Sequence, residues 1–347
     1  MKKVGKVKKV KKVNNLKKAE KYKRMCNYLM AIKYYKLGLK ENYSVLSLFG
    51  LADTYRMVGK FKNAVNLYEK GIDISKKLKD DSLLGDGLVG YGMAKRGIGE
   101  YKTAYKSFKH AEKIYMKVKD EEGKAFCNWC LGGYFRIKGD LKKSLKSFKI
   151  AFLTFKRFDS KDGLGYALCG MAGTLRVIGD FNKSLNYYKK ANTIFKKIKD
   201  RFGLAYSNCG TGSAYRMLNK AEKAIRFYRL AQRGYKRIKD KINYGYVLWG
   251  MGNTLITVRR LKEALEYNKK TLKVFKKARD YRGLVYGFLQ LGEICRLSGK
   301  SYRASKYFKN AYKIAYKHKL KLEIKYAKSG LSMCGVLKRN NFTLNFP

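Results

Sequence analysis

Apolar positions recur along this chain with the period of a helix and, over that, with a second period of forty residues. Between Leu141 and Phe158, Ser144, Phe148 and Ala151 fall at i, i+4 and i+7, with lysines filling the positions between them. In the preceding stretch, Glu121 to Lys138, Leu131, Gly132 and Phe135 share one face. The two stretches predict an antiparallel pair of amphipathic helices, A and B. Asp120 is placed to cap A, whose positive end suits Glu121 and Glu122. Gly139 is placed to stop A in the left-handed conformation, and Asp140 to cap B.

The same slots return up and down the chain. Leu51-Ala52 with Tyr55, Met171-Ala172 with Leu175, and Leu291-Gly292 with Cys295 repeat the A face. Ala64/Tyr68, Ala104/Phe108, Ser184/Tyr188, Ala224/Tyr228 and Ala304/Phe308 repeat the B face. The turn after A reads Gly59-Lys60, Gly99-Glu100, Gly139-Asp140, Gly179-Asp180, Asn219-Lys220, Arg259-Arg260 and Gly299-Lys300. A fixed period of this length predicts a solenoid in which each unit buries its apolar face against its neighbours. Leu/Met-Gly/Ala-x-x-Tyr/Phe, a glycine turn, then Ala-x-x-x-Phe/Tyr-x-x-Ala resembles the tetratricopeptide repeat. The longer period looks like that of Pins-type scaffolds and many bacterial repeat proteins.

The expected fold is therefore all-α: a solenoid of stacked antiparallel helix pairs with seven full repeats and a half-repeat at each end. Resemblance to the family implies a right-handed superhelix. The repeats fall at 41–80, 81–120, 121–160, 161–200, 201–240, 241–280 and 281–320. Tyr28, Ala31 and Tyr34 match the B slots of the leading half-repeat, and 321–338 a capping helix. Residues 1–19, with nine lysines and no acid, read as a disordered basic tail, and 339–347 as a second tail outside the 20–338 solenoid.

Resemblance to the family also implies that one face of each A helix lines a concave groove. Two ladders occupy it. One is aromatic: Phe126, Tyr166, Tyr206, Tyr246, Tyr286 and Tyr326, with Trp129 and Trp249 beside it. The other is Arg56, Arg96, Arg136, Arg176, Arg216 and Arg296, interrupted only by Ile256. Arginine recurs in that slot although lysine dominates elsewhere, and its planar fork binds carboxylate or phosphate in a bidentate way. The alternative is structural: an arginine near the end of helix A suits the negative end of its helix and can pair with a nearby acid. The slot that holds an asparagine ladder in Pins-type members reads Asp53, Met93, Gly133, Gly173, Ser213, Asn253 and Glu293, so only Asn253 matches.

Charge adds a second surface. The chain has 81 Lys+Arg against 25 Asp+Glu, a formal charge of +56, which favours polyanionic partners. Lys102, Lys106, Lys109 and Lys113 form a stripe on one B helix, and Lys142, Lys146 and Lys149 another. They read either as a solvated surface or as a wall for a polyanion.

Other signals exclude rather than point. No segment reaches the roughly 18 uncharged apolar residues of a membrane span, and the N-terminus lacks the apolar core of a signal peptide. Seven scattered cysteines read as reduced thiols. Cys127-Asn-Trp-Cys130 has redox spacing but lies mid-helix, where packing explains it. Gly87, Gly90 and Gly92 resemble a phosphate loop only out of register. His110 and His318 have no partners at ligand spacing. No cofactor or metal site is expected. The sequence thus points to a cytoplasmic scaffold, with a nuclear or nucleoid-associated location open from the basic tail. The scaffold is expected to bind an acidic protein or peptide segment. The alternative is a nucleic-acid (RNA or single-stranded DNA) binder using the lysine stripes and the Arg/Tyr groove.

Overall fold

The computed structural model describes residues 15–336, so most of the basic arm and all of 339–347 lie outside the described residues. Helices follow one another with short turns, and no strand occurs among the described residues. They are α1 (15–24), α2 (Tyr28–Glu41), α3 (Val45–Met57), α4 (Phe61–Lys77), α5 (Asp81–Gly97) and α6 (Tyr101–Lys117). Then come α7 (Glu121–Lys138), α8 (Leu141–Arg157), α9 (Lys161–Ile178), α10 (Phe181–Lys197), α11 (Arg201–Met217) and α12 (Ala221–Arg237). The last five are α13 (Lys241–Thr257), α14 (Leu261–Ala278), α15 (Tyr281–Leu297), α16 (Ser301–Lys317) and α17 (Lys321–Met333).

The helix ends are chemically determined. Asp120 Oδ1 accepts from Gly123 N at 2.8 Å, and Asp140 Oδ1 from Lys143 N at 3.1 Å, so both foreseen caps form. Gly139 closes α7 with φ +83°. Turns from B to the next A are stricter than glycine would make them. Lys79, Lys119, Asp159, Lys199, Lys239, Arg279 and Lys319 all adopt φ between 51° and 59°.

Two compact units result: the described part of Met1–Ile178 with Lys190–Gly203, and Gly179–Lys189 with the described part of Leu204–Pro347. In the first, α3 touches α5, α5 touches α7 and α7 touches α9; in the second, α13 touches α15 and α15 touches α17. Among the described contacts of α4, α6 and α8, and of α14 and α16, none joins one B helix to another. Within each unit these A helices therefore form a row, and the B helices keep one face in solvent.

Packing between pairs rests on rings set over glycines. Phe148 is 2 % exposed, and a Cβ on Gly170 would fall 2.3 Å from its ring. Tyr188 stands the same way over Gly210, and Phe308 over Gly330. Rows of close helix approach explain these glycines, including Gly87 and Gly90 against Phe49 and Tyr68.

At the N-terminal end, residues 15–19, assigned above to the tail, belong to α1. Ala19 is fully buried, Leu16 packs on the same core, and Asn15 Nδ2 donates to Glu41 Oε2 at 2.9 Å. Tyr22 stacks on Tyr34 at 5.4 Å, and Tyr35 hydrogen-bonds Glu20. What reads as a half-repeat from sequence is a complete helix pair, α1 with α2.

Candidate functional site

The arginine slot lies at the last turn of each A helix, and its environment changes along the chain. In the first unit, Arg56 Nη2 donates to Asp53 Oδ1 at 3.1 Å, while Lys23 and Tyr68 also donate to Asp53 at 3.0 Å and 2.7 Å. Burial would raise that carboxyl, but Arg56, Lys23 and Tyr68 together hold it down at about 2. Arg56 is thus neutralised by the acid three residues before it. In the next three repeats that position is Met93, Gly133 and Gly173. Arg96 Nη1 there donates to the Cys130 carbonyl of the following A helix at 3.3 Å. Arg136 Nη1 does the same to Gly170 at 3.5 Å, with its guanidinium 5.9 Å above the Phe148 ring. Nε of Arg176 is buried without a hydrogen-bond partner among the described residues. No carboxylate pairs with Arg136 or Arg176 among the described residues. Gly133 makes room for the preceding arginine: a Cβ there would sit 2.7 Å from Arg96 Nη1.

In the second unit, Arg216 is buried, and Arg296 is clamped by Glu293, with Nε and Nη2 at 2.8 Å and 2.7 Å from the two carboxylate oxygens. Structural pairing thus holds for Arg56 and Arg296, as the alternative in the sequence allows.

The aromatic ladder needs more correction. Phe126 is 39 % exposed and stacks on Trp129 at 5.6 Å with planes 5° apart. Trp129 Nε1 donates to the Tyr166 carbonyl at 3.1 Å, which fixes the pair to the next A helix. These two belong to an accessible face. Tyr166, Tyr246, Tyr286 and Tyr326 are instead built into the packing of the fold. Tyr166 packs on Phe195 at 4.8 Å and donates to Asp200 Oδ2 at 2.7 Å, while Asp200 Oδ1 caps the next helix through Gly203 N. Tyr246 likewise packs on Phe275 at 4.9 Å and bonds Asp280, the cap of α15. Tyr286 is buried and donates to Glu323 Oε1 at 3.0 Å; Tyr326 is buried too. Burial and the neighbouring carboxylates raise the Tyr166, Tyr246 and Tyr286 hydroxyls far above their ordinary range. They fasten each A helix to the turn that follows. Tyr206 is half-buried.

Trp249 and Asn253 are also core residues. Trp249 packs on Tyr286 at 5.2 Å. Asn253 Oδ1 accepts from Gln290 Nε2 at 2.7 Å. Gln290 donates as well to the Trp249 carbonyl at 3.0 Å, and Asn268 Nδ2 donates to Gln290 Oε1 at 3.0 Å. The sequence contained the signal for this cluster. Asn268 stands where the other repeats have Tyr68, Phe108, Phe148, Tyr188, Tyr228 and Phe308, and Gln290 where Gly90, Gly170, Gly210, Gly250 and Gly330 receive those rings.

On the outer side, Lys102, Lys106, Lys113, Lys142, Lys146 and Lys149 are exposed and have no ion-pair partner among the described residues. Lys109 is half-buried and paired with Glu112. None of the seven cysteines forms a disulfide; burial pushes Cys130 up to about 11 and Cys127 and Cys169 higher still, so these three are not poised nucleophiles. Among the described residues no cluster of His, Cys, Asp and Glu could hold a metal ion, and no helix is long and apolar enough to cross a membrane.

A tetratricopeptide repeat family model matches residues 47–82. Among curated proteins no sequence matches. Solved structures share the fold at low identity. A Rap conjugation gene regulator of the plasmid pLS20, in complex with the Phr* peptide, superposes with TM-score 0.67 and 12% identity over 80% of this chain and 75% of its own. A Rap protein complexed with Competence and Sporulation Factor gives 0.61 and 12% over 94% and 97%. A signal transduction ATPase with a tetratricopeptide repeat sensor from Pyrococcus horikoshii gives 0.57 and 17% over 86% and 47%.

Proposed function

We propose that this chain, a tetratricopeptide-repeat protein, is a non-enzymatic interaction scaffold whose first unit holds an extended acidic segment of a partner protein along its A helices. The observation that carries this reading is the contrast within the arginine row. Arg56 and Arg296 each have an acid three residues earlier and are neutralised by it, whereas Arg136 and Arg176 have glycine there and no carboxylate partner among the described residues. A half-buried guanidinium without a counter-ion is a receptor for one. Neighbouring A helices lie roughly 10 Å apart, so the segment would carry acids at intervals of about three extended residues. The stacked Phe126–Trp129 pair supplies a rigid apolar anchor beside them.

Peptide binding by the Rap regulator of plasmid pLS20 supports the class of partner. The net charge of +56 supports its sign. A cytoplasmic setting fits seven cysteines without a disulfide.

The test is a fluorescence-anisotropy titration with two labelled twelve-residue peptides, one with aspartate at every third position and one with asparagine there. The acidic peptide is expected to bind at least tenfold more tightly at moderate salt. Equal affinities would remove the acidic partner from the reading.

A further inference from the structure

Helix α16 is strongly charge-unbalanced. It carries Arg303, Lys306, Lys309, Lys313 and Lys317 and no acid. All five are exposed, and none has an ion-pair partner among the described residues. The acids of the flanking helices are engaged elsewhere: Glu293 with Arg296, and Glu323 with Arg282 and Tyr286. Other B helices differ. Acids occur on α4, α6, α12 and α14; on α8, Lys143 and Arg157 pair with Asp140 and Glu121; and on α10, Lys183 pairs with Asp180.

Aromatic placement separates α16 further. Tyr302, Lys306, Lys309, Lys313 and Tyr316 follow i, i+4, i+7, i+11 and i+14, one stripe about 21 Å long. Tyr302 is 83 % exposed, and Tyr316, stacked on Tyr312 at 5.9 Å, is 67 % exposed, an unusual state for such rings. Beside the stripe, Arg303, Lys306, Tyr307 and Asn310 line an open cleft of ≈ 230 Å³.

We propose that this face of α16 binds single-stranded RNA. Unpaired cations along the stripe meet the phosphates, and the two tyrosine rings offer platforms on which bases stack. Asn310 and the Tyr307 hydroxyl, in the cleft between Arg303 and Lys306, supply the donor and acceptor groups that a 2′-hydroxyl can use. Diffuse positive charge, which other B helices also carry, explains the lysines but not tyrosines at both ends of them. This surface lies on other residues, in the other unit, than the acidic-segment reading, and stands or falls separately from it.

The experiment uses the whole chain and a labelled twelve-nucleotide oligouridine, followed by anisotropy. With Arg303, Lys306, Lys309 and Lys313 on phosphates, affinity should fall about 50-fold between 50 and 200 mM salt, from a slope of about −0.7 per contact. Replacing Lys306, Lys309 and Lys313 by Gln should weaken binding more than tenfold. The same charge removed from α6, as Lys102→Gln, Lys106→Gln and Lys113→Gln, should change it less than twofold. Tyr302→Ala with Tyr316→Ala should cost about thirtyfold or more while leaving the salt slope unchanged. The substituted side chains are exposed, so helicity by circular dichroism should stay that of the parent. Equal losses from the α6 and α16 triple variants would reduce the interaction to non-specific charge and overturn the proposal. So would oligodeoxyuridine binding as tightly as the RNA, an aspartate-rich peptide of equal charge displacing it, or the tyrosine variant binding as well as the parent.

Discussion

Arg96 reaches from its own helix pair to the next: Nη1 donates to the Cys130 carbonyl at 3.3 Å, over Gly133, where a Cβ would come within 2.7 Å of the same nitrogen. Glycine at 133 is therefore a seat for a cation rather than a requirement of the backbone. Replacing it by alanine should favour the helix by up to about 1 kcal/mol, since the collision is with the movable end of a side chain. The same change should displace Arg96 and alter binding of an acidic segment. Urea unfolding and peptide titration on Gly133→Ala check both halves; a loss of stability above about 1 kcal/mol would show the glycine serving the backbone instead.

Asn268 and Gln290 together replace an aromatic ring and the glycine beneath it. Asn268→Phe alone should be destabilising by about 1–3 kcal/mol, because the ring meets the Gln290 amide and strips it of its donor. Pairing it with Gln290→Gly should recover much of that loss. A double-mutant cycle from unfolding midpoints should show coupling of 0.5 kcal/mol or more, of restoring sign. Additive effects would mean that the two positions are independent.

At the turn between α13 and α14, Arg259 has φ +61°, where corresponding turns place Gly59, Gly99, Gly139, Gly179 and Gly299. The left-handed conformation costs an L-residue about 1–2 kcal/mol, partly offset by the greater freedom of an unfolded glycine. Arg259→Gly should therefore raise stability by about 1 kcal/mol, measured by thermal or urea unfolding. A lower midpoint would contradict the conformational argument.

Asp53 sets a pH dependence. Its carboxyl is depressed to about 2 in the folded chain, against burial, by Arg56, Lys23 and Tyr68. A depressed acid contributes stability that is complete above its unfolded value, near pH 4, and is lost as pH falls towards 2. Asp53→Asn should be less stable than the parent at pH 7, with the gap narrowing between pH 4 and pH 2. Urea midpoints across that range test it; a gap that stays constant would show that the ion pair contributes nothing.

Helix pairs, caps and turns were legible because they depend on neighbours in sequence. Asp120, Gly139 and Asp140 act within a few residues of themselves, and the forty-residue register repeats that local message. The tyrosine ladder misleads for a physical reason. A ring repeated on one face of helix A looks the same whether it faces a ligand or the fold, and the acceptor of Tyr166, Asp200, is 34 residues away. The arginines divide along a signal that was present: Asp53 and Glu293 stand three residues before Arg56 and Arg296, at the spacing of a helical ion pair. Residues 15–19 were misassigned because lysines dominate the composition there, while two apolar side chains, Leu16 and Ala19, suffice to dock the helix.

The most direct measurement is calorimetric titration of the aspartate peptide into the parent chain and into the double variant Arg136→Ala/Arg176→Ala, with Arg296→Ala as the control. Each lost charge-assisted contact is worth about 1.5–3 kcal/mol, so the double variant should bind more than a hundredfold more weakly, and Arg296→Ala, whose guanidinium is already held by Glu293, about as well as the parent. Unchanged affinity in the double variant, with its helicity intact, would contradict a binding face built on arginines that have no carboxylate of their own.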